Sequence, residues 1–354
     1  MSAASKPSFP KKLLLFIAIG LFTLVLYLYY FVGTSNIADV IKRADLLTYI
    51  SAFVAFILSV SFSSLTWRSL LKNLAVKVKM RQVFVFMWVG MFFDATVPEP
   101  GWSGDISKAY MLAKTSDEDT GKIIASVVSQ KIISMGITVL DLILGLVLLA
   151  RGYLLSRGIL IFIGAVLSLT VCSLAVVWYV STRPKATSRI LDWLINAAVF
   201  LRRGRWDPKE FKSGAEDFLS KFHGGIRTLS AKPMALVKPT LLSLVSWVFD
   251  VSVVFLVFAS LGYPIPVDKV LIIYALTGSL QIIGISFVGF TEINMSGAYT
   301  VLGVQPALSL SVTLLTRVVT LWFKLVVSYV AFQWAGVRIL AGTKQPDVTV
   351  DKRV

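Results

Sequence analysis

The sequence predicts an all-α polytopic membrane protein with about six full spans and two re-entrant helical hairpins in an inverted repeat. Three observations predict it. The 354 residues are 56% hydrophobic with a mean hydropathy of +0.79. They contain several runs of about 20 apolar residues, the length that crosses a bilayer. The net charge of +16 sits mostly between those runs, where it reports orientation and contact with anionic headgroups rather than nucleic acid. A membrane barrel would need many short alternating segments, which are absent, so helices are left to satisfy the backbone in lipid.

Residues 1–12 are polar and basic, and 13–33 form the first apolar run. It ends in YLYYFVG without a small-residue cleavage site, so a retained helix is expected rather than a signal peptide. A second span covers about 46–67 and runs into Arg68, Lys72, Lys77, Lys79 and Arg81 with no acid among them, the mark of a cytoplasmic loop. The next apolar stretch, FVFMWVGMFFDATV, is cut short by PEPGWSG and restarts as DISKAYMLAK. If it crossed fully, residues 182–239, with twelve Lys/Arg against five Asp/Glu, would lie outside. A dip over 83–114 that returns to the cytoplasmic side removes the conflict. Spans over 120–150 and 158–181 then bring the chain back inside.

Within 182–239, SRILDWLINAAVFL and the face formed by Phe211, Ala215, Phe218, Leu219, Phe222, Ile226 and Leu229 read as interfacial helices with basic polar sides. His223 reads there as a solvated histidine near a helix end. After Pro239 a span runs to about Ser260, carrying Asp250. The run 269–290 is interrupted by Gly278, Gly284 and Gly289, and a long final run covers 307–337. The basic C-terminal end favours the cytoplasm, which makes 269–303 a second dip, from the outside. Residues 1–340 thus form one membrane domain, with halves of about 44–150 and 240–340 around the basic segment, and 341–354 form a disordered tail.

The two dips resemble one another. GWSGDISKAYML (101–112) leads to Lys131, and GFTEINMSGAYTVL (289–302) leads to Arg317, with acid-to-cation separations of 26 and 25 residues. Inverted repeats with broken helices recur in transporters, with the site near the midplane. A lone Lys, Arg or Asp at the bilayer centre costs about 2.5–3.5 kcal/mol, so Lys131, Asp250, Arg317 and Lys324 must pair or line a wet cavity. Arg317, Thr320, Lys324 and Ser328 are expected on one helical face, as are Lys131, Ser134, Thr138 and Asp141. Asp105 and Glu292 fall in the first turns of half-helices, behind Ser103 and Thr291 as candidate caps, and are expected to partner Lys131 and Arg317. Asp94, Glu99 and Asp141 read as interfacial. The substrate-binding candidates are Asp105, Lys108, Lys131, Glu292, Arg317, Lys324 and Asp250.

These residues carry a family resemblance. PGWSGDISKAY (Pro100, Gly101, Gly104, Asp105, Lys108), SVVSQKIIS (Gln130, Lys131) and GFTEINMSGAYTVLGVQP leading to LLTRVVT (Glu292, Gly303, Val304, Arg317) resemble the lysylphosphatidylglycerol synthase transmembrane region, or flippase-like, family over roughly 40–340. Asp105 stands where that family has Glu, Lys108 and Lys131 where it has Arg, and Gln130 where an acid is usual. Lys cannot make the bidentate contacts of Arg, so headgroup recognition is expected to differ. No soluble aminoacyl-transferase domain follows, so lysyl transfer is not expected of this chain. The resemblance implies the handling of a phospholipid or polyprenyl-phosphate-linked lipid, often beside a separate glycosyltransferase or synthase.

One cysteine, Cys172, and one histidine, His223, exclude a disulfide framework, a Cys/His metal site and a Ser-His-Asp triad. No cofactor is expected. Three functions stay open: a flippase or transporter for an anionic lipid headgroup, an integral-membrane transferase, and an accessory subunit docked through 188–230. The first fits the paired charges best, with both termini in the cytoplasm and the chain in the cell membrane.

Overall fold

A computed structural model describes residues 42, 44–97, 102–116, 118–152, 157–201, 209–282 and 289–342. The expected span at 13–33, Glu99 and the tail beyond 342 lie outside the described residues. Those residues form helices and no strand. Five helical segments are long and apolar enough to cross a membrane. Four of these lie in α1 (Leu46–Asn73), α4 (Thr120–Gly152), α5 (Arg157–Thr182) and α8 (Pro233–Ser260). The fifth, Pro306–Ala335, runs through α11 (Pro306–Arg317), a π-helical stretch (Val318–Phe323) and into α12 (Lys324–Gly342).

The frame is the antiparallel pair α1 and α8, the most extensive helix contact among the described residues. At one end the Asp45 N–H donates to the Ser260 carbonyl at 2.7 Å. At mid-length Ser246 Oγ donates to the Ser59 carbonyl at 2.8 Å. At the other end Asn73 Nδ2 donates to the Ala235 carbonyl at 2.7 Å. That last bond has a specific cause. Helix α8 begins at Pro233 and continues through Pro239, where the sequence suggested a start. Pro239 has no N–H to give the carbonyl four residues back, which is that of Ala235, and Asn73 satisfies it instead.

Four shorter helices complete the frame: α2 (Met80–Thr96), α3 (Ser103–Thr115), α9 (Val267–Ile282) and α10 (Phe290–Val301). At 1.5 Å per residue their 17, 13, 16 and 12 residues span about 26, 20, 24 and 18 Å, less than the roughly 30 Å of a hydrocarbon core. α2 and α3 pack together as a hairpin. Its ends meet where the Lys77 N–H donates to Glu118 Oε1 at 2.7 Å, near the Asn73 end of α1. The start of α9 and the end of α10 meet similarly, with Lys269 Nζ 3.9 Å from where a Cβ on Gly303 would stand. A short link joins α9 to Ser260, so this second pair opens at the opposite end of the α1–α8 frame. The halves exchange partners: α2 packs along α12 as α9 packs along α4.

The basic segment folds as α6 (Pro184–Leu201) and α7 (Lys209–Ser230). Phe222, Ile226 and Leu229 of the expected apolar face are buried. α7 crosses the start of α4 closely: a Cβ on Gly121 would stand 2.7 Å from Lys221 Cβ, and one on Gly225 would stand 2.8 Å from Ala125 Cβ. His223 is not simply solvated. Its Nδ1 lies 3.0 Å from the Ser181 carbonyl and its Nε2 3.1 Å from Thr187 Oγ1, which ties α7 to the α5–α6 corner.

Candidate functional site

The start of α3 brings the first charge cluster together. Asp105, in its first turn, accepts from Lys108 Nζ at 2.7 Å and from Lys131 Nζ of α4 at 3.1 Å. Lys108 is buried. It also reaches Gln130 Oε1 at 3.1 Å and lies 5.3 Å from the Trp67 ring centroid. Gln130 works in both directions, since its Nε2 donates to the Ser63 carbonyl at 3.0 Å and to Ser63 Oγ at 3.2 Å. An acid at 130 could accept from Lys108 but could not donate to Ser63. Lys131 lies 5.1 Å from the centroid of Trp102.

The second cluster sits at the start of α10. Arg317 Nε donates to Glu292 Oε1 at 2.6 Å, and Glu292 Oε2 accepts the Gly289 N–H at 2.7 Å. Glu292 is 3% exposed, so both carboxylate oxygens need these partners. Gly289, at φ 94°, is the N-cap, and Glu292 reaches back to it. Thr291 therefore lies inside the helix rather than capping it, and Ser103 likewise follows its cap, Trp102. The oxygen that satisfies the α3 start comes from α2: Asp94 Oδ1 accepts the Gly104 N–H at 2.8 Å, with Ser103 Oγ at 3.4 Å.

Asp94 is the residue that sequence reasoning missed. It is exposed, as an interfacial residue can be, and it also caps α3 and lies in the field of Lys131, Asp105 and Lys324. The available signal was its position in the last turn before the PEPG break, ten residues ahead of Gly104. Asp141 departs from an interfacial reading, since it is buried and accepts from Trp247 Nε1 at 3.1 Å. Asp250 accepts from the Tyr274 hydroxyl of α9 at 2.7 Å. Lys324 has no carboxylate within 4 Å among the described residues. It lies in the field of Arg317, Asp94 and Asp250.

Ion pairs thus join Lys108, Asp105 and Lys131 in one cluster and Arg317 and Glu292 in the other, and Asp94, Lys324 and Asp250 lie in electrostatic range of one or both. Lys324 feels the charge of both Asp94 and Arg317. The expected single face through Arg317 and Lys324 is interrupted by the π turns between them, whose wider winding changes the register. Near the first cluster a cavity of about 370 Å³ opens beside Lys131. Trp102, Lys131 and Met135 line one wall and Leu169, Cys172 and Val176 of α5 the other. Apart from Lys131 and Ser173 the lining is apolar, a combination that suits an amphiphile. No cluster that could hold a metal occurs among the described residues.

Apolar helices of spanning length, packed around shorter helix pairs with charged groups between them, define an integral membrane protein of the polytopic, helical class. Comparison with known proteins makes this specific. The model of the lysylphosphatidylglycerol synthase transmembrane region matches residues 14–328, and the chain belongs to that family. It is similar to a UPF0104 membrane protein of Pyrococcus horikoshii, 25% identical over 88% of this chain and 93% of the relative. A UPF0104 membrane protein of Methanothermobacter thermautotrophicus is 23% identical over 86% and 90%. One of Methanocaldococcus jannaschii is 23% identical over 91% and 94%.

Proposed function

We propose that the chain is a flippase-like transporter that takes the anionic headgroup of a phospholipid or polyprenyl-phosphate-linked lipid into the charged centre while the tail stays in the membrane. The observation that carries this reading is the mostly apolar cavity that opens at Lys131, the residue paired with Asp105. Lys131 and Arg317 hold the phosphate. Asp105 and Glu292 orient these two cations until the headgroup arrives, and Lys108 fixes Asp105 from behind. The α2–α3 and α9–α10 pairs act as re-entrant hairpins from opposite faces, a backbone arrangement that membranes tolerate only inside protein or around a wet cavity. Their half-helix starts add positive dipole ends to the same region.

The test is reconstitution into liposomes carrying a fluorescent phosphatidylglycerol, with movement between leaflets as the readout. A charge-assisted hydrogen bond contributes about 1.5–3 kcal/mol, so Lys131→Ala and Arg317→Ala should each slow movement by roughly tenfold or more. Wild-type rates in both variants would remove the proposed site. A covalent change in the lipid would instead indicate a transferase.

A further inference from the structure

We infer that α7 is a proton-sensitive strap across α4 and α5, drawn tight when His223 is protonated. A helix leaves its last carbonyls without donors of its own. At the end of α5 the chain turns through Pro184, which has no N–H to offer the Val180 carbonyl four residues back. Side chains of the next two helices take that place. Thr187 Oγ1 of α6 donates to the Val180 carbonyl at 2.8 Å, with the Arg183 carbonyl at 3.4 Å. His223 of α7 sets Nδ1 3.0 Å from the Ser181 carbonyl and Nε2 3.1 Å from the same Thr187 Oγ1. The row from the Ser181 carbonyl through the ring and the hydroxyl to the Val180 carbonyl thus holds three contacts and needs three hydrogens. A neutral imidazole and a threonine bring two. Either one carbonyl then loses its hydrogen or two lone pairs face each other, whichever ring nitrogen carries the proton. The imidazolium supplies the third.

The charge of that ring would lie at the C-terminal end of α5, where the helix dipole favours a cation. The basic groups on the elements around α7 oppose it: Lys221 and Arg227 of α7 itself, Arg183, Lys185 and Arg189 at the corner and in α6, Lys122 of α4 and Lys232 ahead of α8. Glu216 and Asp217 of α7, Asp119 ahead of α4 and Asp192 of α6 offset these, and two of the acids are already paired, Asp217 with Lys221 and Asp192 with Lys212. Histidine gains and loses its second hydrogen between about pH 5 and 8. The consequence lies in what α7 spans. His223 sits between Lys221 and Gly225, the positions at which α7 presses on Gly121 and Ala125 of α4. One short segment of α7 therefore grips α4 and holds the end of α5. These two helices wall the cavity at Lys131, and Ser181 lies one turn beyond Val177 of its lining. Their other ends are joined by the short connection from Gly152 to Arg157. With the third hydrogen in place the pair is tied at both ends. Without it the α7 end can part, and the gap between α4 and α5 widens, whatever the cavity holds.

The experiment is a spin-label distance measurement on the full chain in phosphatidylcholine nanodiscs, with nitroxides on Lys122→Cys of α4 and Trp178→Cys of α5 in a Cys172→Ser background. Both positions are exposed. At about pH 5, the acid end of the histidine range, the distance should be short and narrowly distributed, and at about pH 8 it should be longer and broader. His223→Ala should show the longer, broader distribution at both pH values. Thr187→Val removes the contact that demands the third hydrogen, so a neutral ring can hold Ser181 through Nδ1–H alone and the distance should stop responding to pH. A histidine that merely packs between α5 and α7 would not lose its pH response through this change in α6. One distribution at both pH values in the otherwise unaltered chain, or a pH response that survives in either variant, would overturn the inference.

Discussion

Gly104 meets α2 with no room for a side chain: a Cβ there would fall on Asp94 Oδ2 and the Gly90 carbonyl, and one on Gly90 would stand 2.8 Å from the Gly104 carbonyl. The close approach is what lets Asp94 reach the Gly104 N–H. Gly104→Ala should therefore cost about 1–3 kcal/mol through displaced backbone. Gly136→Ala in α4, where nothing lies within 4 Å of the new methyl, should stay within about 1 kcal/mol of wild type. Thermal unfolding in detergent compares them, and equal midpoints would mean that the α2–α3 contact is not the constraint. At this scale the acid–cation pairs were legible because an acid in a first turn and a cation 25 or 26 residues later recur in the sequence. The roles of Asp94, Gln130 and Asn73 were not. Each satisfies a group on another element, and no local spacing encodes that.

Among the elements, the π stretch is the one that hydropathy could not reveal, because 307–337 is uniformly apolar around its cations. Its wider turns separate Arg317, held by Glu292, from Lys324, which faces Asp94 and Asp250. The Tyr49 hydroxyl donates to the Leu315 carbonyl at 2.9 Å just before the widening begins. Deleting Trp322, which is largely exposed, should return the stretch to α-helix and turn the two cations by about 100° relative to each other. Lipid movement in liposomes should then be lost while helical content by circular dichroism is kept. Retained movement would show that the register of Lys324 is unimportant. The short helices α2, α3, α9 and α10 were legible through their lengths and Pro/Gly breaks. The true start of α8 was not, because Pro239 normally argues against a helix interior and is accommodated here only by the distant Asn73.

At the scale of the whole molecule, the two short-helix pairs open at opposite ends of the α1–α8 frame. Apolar side chains exposed on α5, α8 and α12, among them Ile161, Phe162, Leu241, Val248, Val326 and Val330, form the surface that lipid would cover. The ends of α2–α3 meet at Lys77 and Glu118, close to the basic α7, while α9–α10 opens near Ser260. If the positive-inside bias sets orientation, the first group faces the cytoplasm and the second faces outward. The native cysteine is exposed, so single cysteines belong in a Cys172→Ser background. Replacements at Lys77, Glu118 and Arg227 should react with a membrane-impermeant maleimide from one side, and those at Gly262 and Lys269 from the other. Labelling Lys77 and Glu118 positions from opposite sides would make α2–α3 a crossing pair. It would also place α7 and its lysines on the wrong face, and α2–α3 would lose its place as one half of the proposed inverted pair.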